Sequence, residues 1–147
     1  MVKVILNKGF GGFTVSAKAH KLYAERLGKE LFYYIGHYEK PHVVYNKVSY
    51  EEFIKKNSLF YFYSFKDLGD ETLKNLDEQD DDSILDLDEH HREDPLLIQI
   101  VEELGEEASG FAGTLKVVEI PDELANGNYM IDDYDGIETL HAKVEEY

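Results

Sequence analysis

Leu59-Phe60-Tyr61-Phe62-Tyr63-Ser64-Phe65 is the most aromatic run of the chain, and aromatic side chains fit the pleated, half-buried surface of a sheet. It reads as a strand. Upstream, residues 31–35 and 42–48 are rich in β-branched and aromatic types and read as strands as well. Between them and the aromatic run, Ser49-Tyr50-Glu51-Glu52 resembles a capping box that opens a short helix ending at Lys56. Strands that follow one another with so little helix between them lack the regular alternation of a parallel sheet, and antiparallel pairing is expected.

Working outward, residues 1–6 alternate apolar and polar side chains, and Asn7-Lys8-Gly9-Phe10-Gly11-Gly12 is turn chemistry, with Phe10 and Phe13 expected to pack onto the core. Ser16 is placed to cap a helix over 17–27 that stops at Gly28. Toward the other end, Asp94-Pro95 combines a capping carboxylate with the residue best suited to a first helical position. Leu97, Ile100, Val101, Leu104 and Ala108 mark an apolar face of that helix, and Gly110 is its expected stop. A strand over 115–120 follows, then two more over 129–133 and 137–144, joined at Tyr134-Asp135-Gly136, where Asp-Gly suits a type I′ hairpin. The order β-α-β-β-α-β-loop-α-β-β-β predicts an α+β fold: a mainly antiparallel sheet, two or three helices packed on it, and a long acidic loop.

At 147 residues and 17.0 kDa the chain fits a single domain. It contains no cysteine, which excludes a disulfide scaffold, a thiolate metal site and a cysteine nucleophile. Its apolar stretches fall far short of the ~20 residues that span a bilayer, and its first residues turn polar too early for a secretory signal, so a soluble cytoplasmic protein with no membrane partner is expected. The net charge of −16 is unevenly distributed: residues 1–66 carry eleven Lys/Arg and five Asp/Glu, whereas 67–147 carry four and twenty-six. Such an acidic half repels phosphate and argues against duplex nucleic acid as its ligand. Within 67–94, thirteen acidic residues face only Lys74 and Arg92, which predicts a mobile insertion at about 67–91. A helical turn is expected near 71–76, with Ile84, Leu85 and Leu87 pinning the far end.

Specific chemistry is hard to find. The loop Gly9-Phe10-Gly11-Gly12 has Thr14 where a dinucleotide fingerprint needs its third glycine, and it lacks the lysine of a phosphate loop. Aligning Gly136 with the sixth position of a calcium loop puts Ile131 and Ala142 where acidic ligands are required, so the calcium reading fails. The adjacent His90 and His91 lack the spacing of a metal site. No catalytic residue, metal or cofactor is expected. The helix after Pro95 is more informative: Glu102, Glu103, Glu106 and Glu107 lie in its expected C-terminal half, against the macrodipole and as like charges four apart. Together with Asp132, Asp133 and Asp135 they form a candidate surface for a basic partner, with self-association left open. The alternative is a small ligand such as a nucleotide, held by Gly9, Gly11, Gly12 and Lys18 and stacked on Tyr61 or Tyr63.

Four stretches carry a resemblance: Gly11-Gly12-Phe13-Thr14-Val15-Ser16, Arg92-Glu93-Asp94-Pro95-Leu96-Leu97-Ile98 before Val101-Glu102-Glu103-Leu104-Gly105, Leu115-Lys116-Val117-Val118-Glu119-Ile120-Pro121-Asp122, and Tyr134-Asp135-Gly136-Ile137-Glu138. In this order they resemble a family of small acidic, mostly uncharacterised proteins of tailed bacteriophages, over about the first sixteen residues and 92–138. The resemblance implies an accessory protein acting inside an infected bacterium; the acidic surface, read separately, leads to the expectation of a non-enzymatic binder that inhibits a host protein with a basic surface, of the kind that defends the cell or handles nucleic acid. The resemblance transfers no catalytic residue.

Overall fold

The computed structural model describes residues 1–56, 58–73, 83–111 and 113–143. In chain order the elements are β1 (Val2–Asn7), α1 (Ala17–Arg26), β2 (Phe32–Glu39), β3 (His42–Val48), α2 (Tyr50–Lys55), β4 (Tyr61–Ser64), β5 (Glu71–Thr72), β6 (Ile84–Leu85), α3 (Pro95–Leu104), β7 (Leu115–Ile120), β8 (Tyr129–Tyr134) and β9 (Ile137–Ala142). Every described ladder is antiparallel, and the fold class is α+β. The strands do not share one sheet: β1 pairs with β7, β8 with β9, and the other five run in the order β5-β3-β2-β4-β6. Met1–Tyr23 and Leu87–Tyr147 make one compact unit, and Ala24–Asp86, inserted between them in sequence, make a second.

The second unit is built on its aromatic strands. Register sets Tyr33 opposite Tyr63 and Tyr34 opposite Phe62, and the two-residue period of a strand sends the pairs to opposite faces. On one face Tyr33 and Tyr63 meet Phe53 of α2, with ring centroids 5.3 and 5.1 Å from it. On the other, Tyr34 stacks on Phe62 at 4.8 Å, and Tyr45 meets the same ring edge-on. Helix α2 starts where its sequence says, with the Ser49 hydroxyl accepting from the Glu52 amide.

The flanks of the acidic segment are more structured than a loop. The Tyr34 hydroxyl accepts from the Leu68 amide and donates to the Gly69 carbonyl, both at 2.9 Å. Lys47 Nζ grips both oxygens of Asp67 at 3.0 and 3.1 Å. The Gly69 amide and this ammonium hold the Asp67 carboxyl below its ordinary value. Glu71–Thr72 pairs with β3 as a strand, not as the expected helical turn, and Ile84–Leu85 pairs with β4. Leu85 and Leu87 are buried, as a pinned end requires. The expected mobile centre of this segment, 74–82, lies outside the described residues, as does Val144 at the end of the last expected strand.

In the first unit, β1 supplies the core. Val4 and Leu6 are buried with Ile120, and Tyr129, Ile131 and Leu140 of the β8–β9 hairpin pack against them. Ile5, on the opposite face by strand period, is also fully buried. The buried stripe of α3 is Leu97, Ile98, Ile100 and Val101. That helix ends at Leu104, not near Gly110. Gly105 adopts φ +61°, a conformation L-residues avoid, and residues 105–108 continue as a 3₁₀ turn that buries Ala108.

Candidate functional site

Asn7, at the end of β1, organises the surface under consideration. It is fully buried, its side-chain amide donates to the carbonyls of Gly9 and Gly136, and its carbonyl accepts from the Thr114 amide. Its own backbone N–H donates to Glu138 Oε1 at 2.8 Å. Glu138 in turn forms a two-pronged pair with Arg92, at 3.1 and 2.9 Å, their side chains only 7% and 11% exposed. Arg92 also donates to the Ile5 carbonyl at 3.0 Å and lies over the Phe13 ring at 5.2 Å. In this way β1, β9 and the segment before α3 are cross-braced by one ion pair and one amide. Phe13, Arg92 and Glu138, from three separate stretches of the sequence, meet here.

The hairpin turn is as its sequence dictates. Asp135 and Gly136 have φ of +50° and +89°, the left-handed pair of a type I′ turn, and Asp133 Oδ1 accepts from the Gly136 amide at 2.7 Å. A side chain at Gly136 would run into the backbone of Gly11 and Gly12. The Gly11 amide donates to the Asp135 carbonyl at 3.3 Å. The glycine loop therefore packs against the hairpin turn, with its Gly11 amide engaged there. Phe10 does not pack onto the core as expected; it is 63% exposed.

The acidic residues are all displayed, but not as one helical ridge. Glu102 and Glu103 end α3, while Glu106 and Glu107 belong to the 3₁₀ turn, so the expected like-charge pairs four apart on a continuous helix do not exist. Lys3 pairs with Glu102 at 2.9 Å and offsets its place at the negative helix end. Lys18 pairs with Glu107 at 2.8 Å. Beside Glu102 lies a shallow groove of about 430 Å³ with Val2, Pro95 and Ile98 in its lining and Glu93 on its rim. On the hairpin, Asp132 pairs with His141 at 2.8 Å. Among the described residues the first unit carries seven Lys/Arg against fifteen Asp/Glu, and the second seven against nine. Over the full sequence the first unit carries seven Lys/Arg against seventeen Asp/Glu and the second eight against fourteen, so both are acidic and the first is the more so.

Of the expected ligand residues, Gly9, Gly11, Gly12 and Lys18 belong to the first unit and Tyr61 and Tyr63 to the second. Tyr61 and Tyr63 line a cavity of about 420 Å³ together with Leu59, Ile84, Leu85 and Asp86. Burial pushes the Tyr63 hydroxyl well above its ordinary pKa. His90 and His91 serve a structural purpose: both rings approach Asp88 Oδ1, which also accepts the His90 amide and caps the short turn they form. Burial works against the charge on Asp88, but these hydrogen bonds outweigh it and hold its carboxyl low. Among the described residues no helix is long and apolar enough to cross a membrane. Comparisons with models of known families, with curated proteins and with solved structures found no match.

Proposed function

We propose that this chain is a non-enzymatic binding protein that occupies a partner with a basic surface through the acidic face of its first unit. In this reading the partner is a host protein, and binding inhibits it. The observation that supports this reading is the concentration of exposed carboxylates in one unit, at Glu102, Glu103, Glu106 and Glu107 and on the hairpin at Asp132, Asp133 and Asp135. Such a field steers a basic partner inward and falls with salt. The test uses the full chain as bait in bacterial lysate at low and at high salt. A basic protein should be retained at low salt and released at high salt, and Glu103→Gln/Glu106→Gln should slow its association about threefold to tenfold with the fold unchanged. Retention that ignores both salt and the paired substitution would refute the reading.

A second reading is supported by the cavity at Tyr61 and Tyr63, whose size and aromatic lining suit a small planar ligand. It no longer draws on the glycine loop. Nucleotides at a hundredfold excess over their Kd should then stabilise the protein by about 2.7 kcal/mol. Tyr61→Ala should abolish that thermal shift. No shift with any nucleotide would dispose of this alternative.

A further inference from the structure

We propose that the partner docks on a cluster of turns in the first unit, with Phe10, Phe111 and Tyr134 as its anchors, and that the docked surface is apolar at its centre and ringed by Lys or Arg. This deepens the preceding reading and rests on it: the acidic face steers, and the aromatic cluster holds.

The three rings are 63%, 84% and 75% exposed. A single exposed aromatic needs no explanation, but several carried on one knot of backbone mark an interaction surface. The turn bearing Tyr134 is tied to the turn bearing Phe10 by the Gly11 amide on the Asp135 carbonyl and by Asn7, which donates to both Gly9 and Gly136. The turn bearing Phe111 is tied to the strand side of the glycine loop: Thr14 Oγ1 donates to the Phe111 carbonyl at 3.2 Å, and the Gly110 amide donates to the Thr14 carbonyl at 2.9 Å. A Cβ on Gly113 would lie 2.6 Å from Thr14 Oγ1 and 3.0 Å from the Gly12 carbonyl oxygen. Turns packed this closely hold the backbone beneath each ring in place before a partner arrives, so less ordering entropy is lost on binding. Aromatic side chains of this kind supply most of the energy at protein interfaces.

Charge selects the occupant. Asp132, Asp133 and Asp135 flank Tyr134 in sequence, and two of them are fixed, Asp132 by His141 and Asp133 by the Gly136 amide. Carboxylates beside the Tyr134 anchor complement basic groups at the edge of an apolar surface. It also disfavours a second copy of this chain, which would bring the same negative rim against itself.

The probe is a synthetic hexapeptide alternating arginine and tryptophan. The protein contains no tryptophan, so indole emission reports the peptide alone. Stopped-flow binding should give a saturable blue shift with the parent protein. Phe10→Ser/Phe111→Ser/Tyr134→Ser should raise the dissociation rate at least about tenfold and leave association nearly unchanged, the signature of lost anchors. Glu103→Gln/Glu106→Gln should do the reverse. All three rings are at the surface, and an unchanged urea midpoint confirms that the triple variant is folded; Tyr134→Ser alone should give a smaller rise of the same kind. If the glutamate variant slows association while the triple and single serine variants dissociate like the parent, the acidic reading stands and the docking face is wrong. If the peptide never saturates, both fall. Sedimentation that shows a parent dimer dispersed by the serine variants would make the occupant a second copy and overturn the proposal.

Discussion

Arg92→Met should cost about 3–5 kcal/mol, because it strands a buried carboxylate that has lost its partner. Against a typical total of about 5–15 kcal/mol this leaves a marginal protein. The substitution removes the two bonds to Glu138, the bonds to the Ile5 and Glu89 carbonyls, and the contact with Phe13. Arg92→Met/Glu138→Gln should recover most of it. The glutamine oxygen still accepts the Asn7 amide, while the unpaired charge is gone. Urea unfolding of the single and double variants measures both. A single-variant loss below about 1 kcal/mol would mean that the pair behaves like an exposed salt bridge and braces nothing.

Acid should remove a further roughly 3 kcal/mol through His20 alone, as the pH falls from about 6.5 to about 4. The ring is buried between two backbone groups. Nδ1 meets the Ser16 carbonyl at 2.8 Å, and Nε2 meets the Leu87 amide at 3.2 Å. A carbonyl only accepts and an amide only donates, so these partners assign the proton to Nδ1 and a neutral ring. Burial is the main cause that lowers the pKa to about 4, with the neighbouring His91 adding to it, while the bond to Ser16 opposes it. The sign follows. Above pH 6.5 the ring is neutral folded or unfolded; below it the unfolded chain gains a proton that the folded chain refuses, and stability declines until the folded ring titrates too. His20→Gln should start from lower stability at neutral pH and show a correspondingly flatter decline across this window. Equal slopes for parent and variant, from urea midpoints at successive pH values, would remove His20 as the cause.

Local signals in the sequence were sufficient where one residue type does one backbone job. Ser16, Ser49 and Asp94-Pro95 start the helices they were expected to start, and Asp135-Gly136 makes the expected turn. They misled where two such signals competed. Ala108 continues the apolar period as far as Gly110, the expected stop, but Gly105 ends α3 first, and Ala108 is buried in a 3₁₀ turn instead. The brace of Arg92 and Glu138 left no local trace at all. Its members are 46 positions apart, and in so acidic a half Glu138 looks like any solvated carboxylate. Asn7 was read only as part of a turn, although a polar residue closing an apolar strand just before a glycine is where a buried amide serves best. Phe10 is expected on the core and Phe111 and Tyr134 carry no sequence signal of display, because hydrophobicity predicts burial and only the fold separates a core aromatic from a displayed one.

The bond between His20 and Leu87 closes the first unit three residues before the chain leaves it at Tyr23 and at the point where it returns. The departure and the return are thus fastened to the same helix, whatever lies between them. For a loop whose ends are already held, doubling its length adds only about 0.6 kcal/mol of closure entropy. Lengthening or shortening the intervening stretch is therefore thermodynamically inexpensive for the first unit. Changes in the length of that stretch should leave the first unit's own stability nearly untouched, whatever they do to the sheet built on β2, β3 and β4.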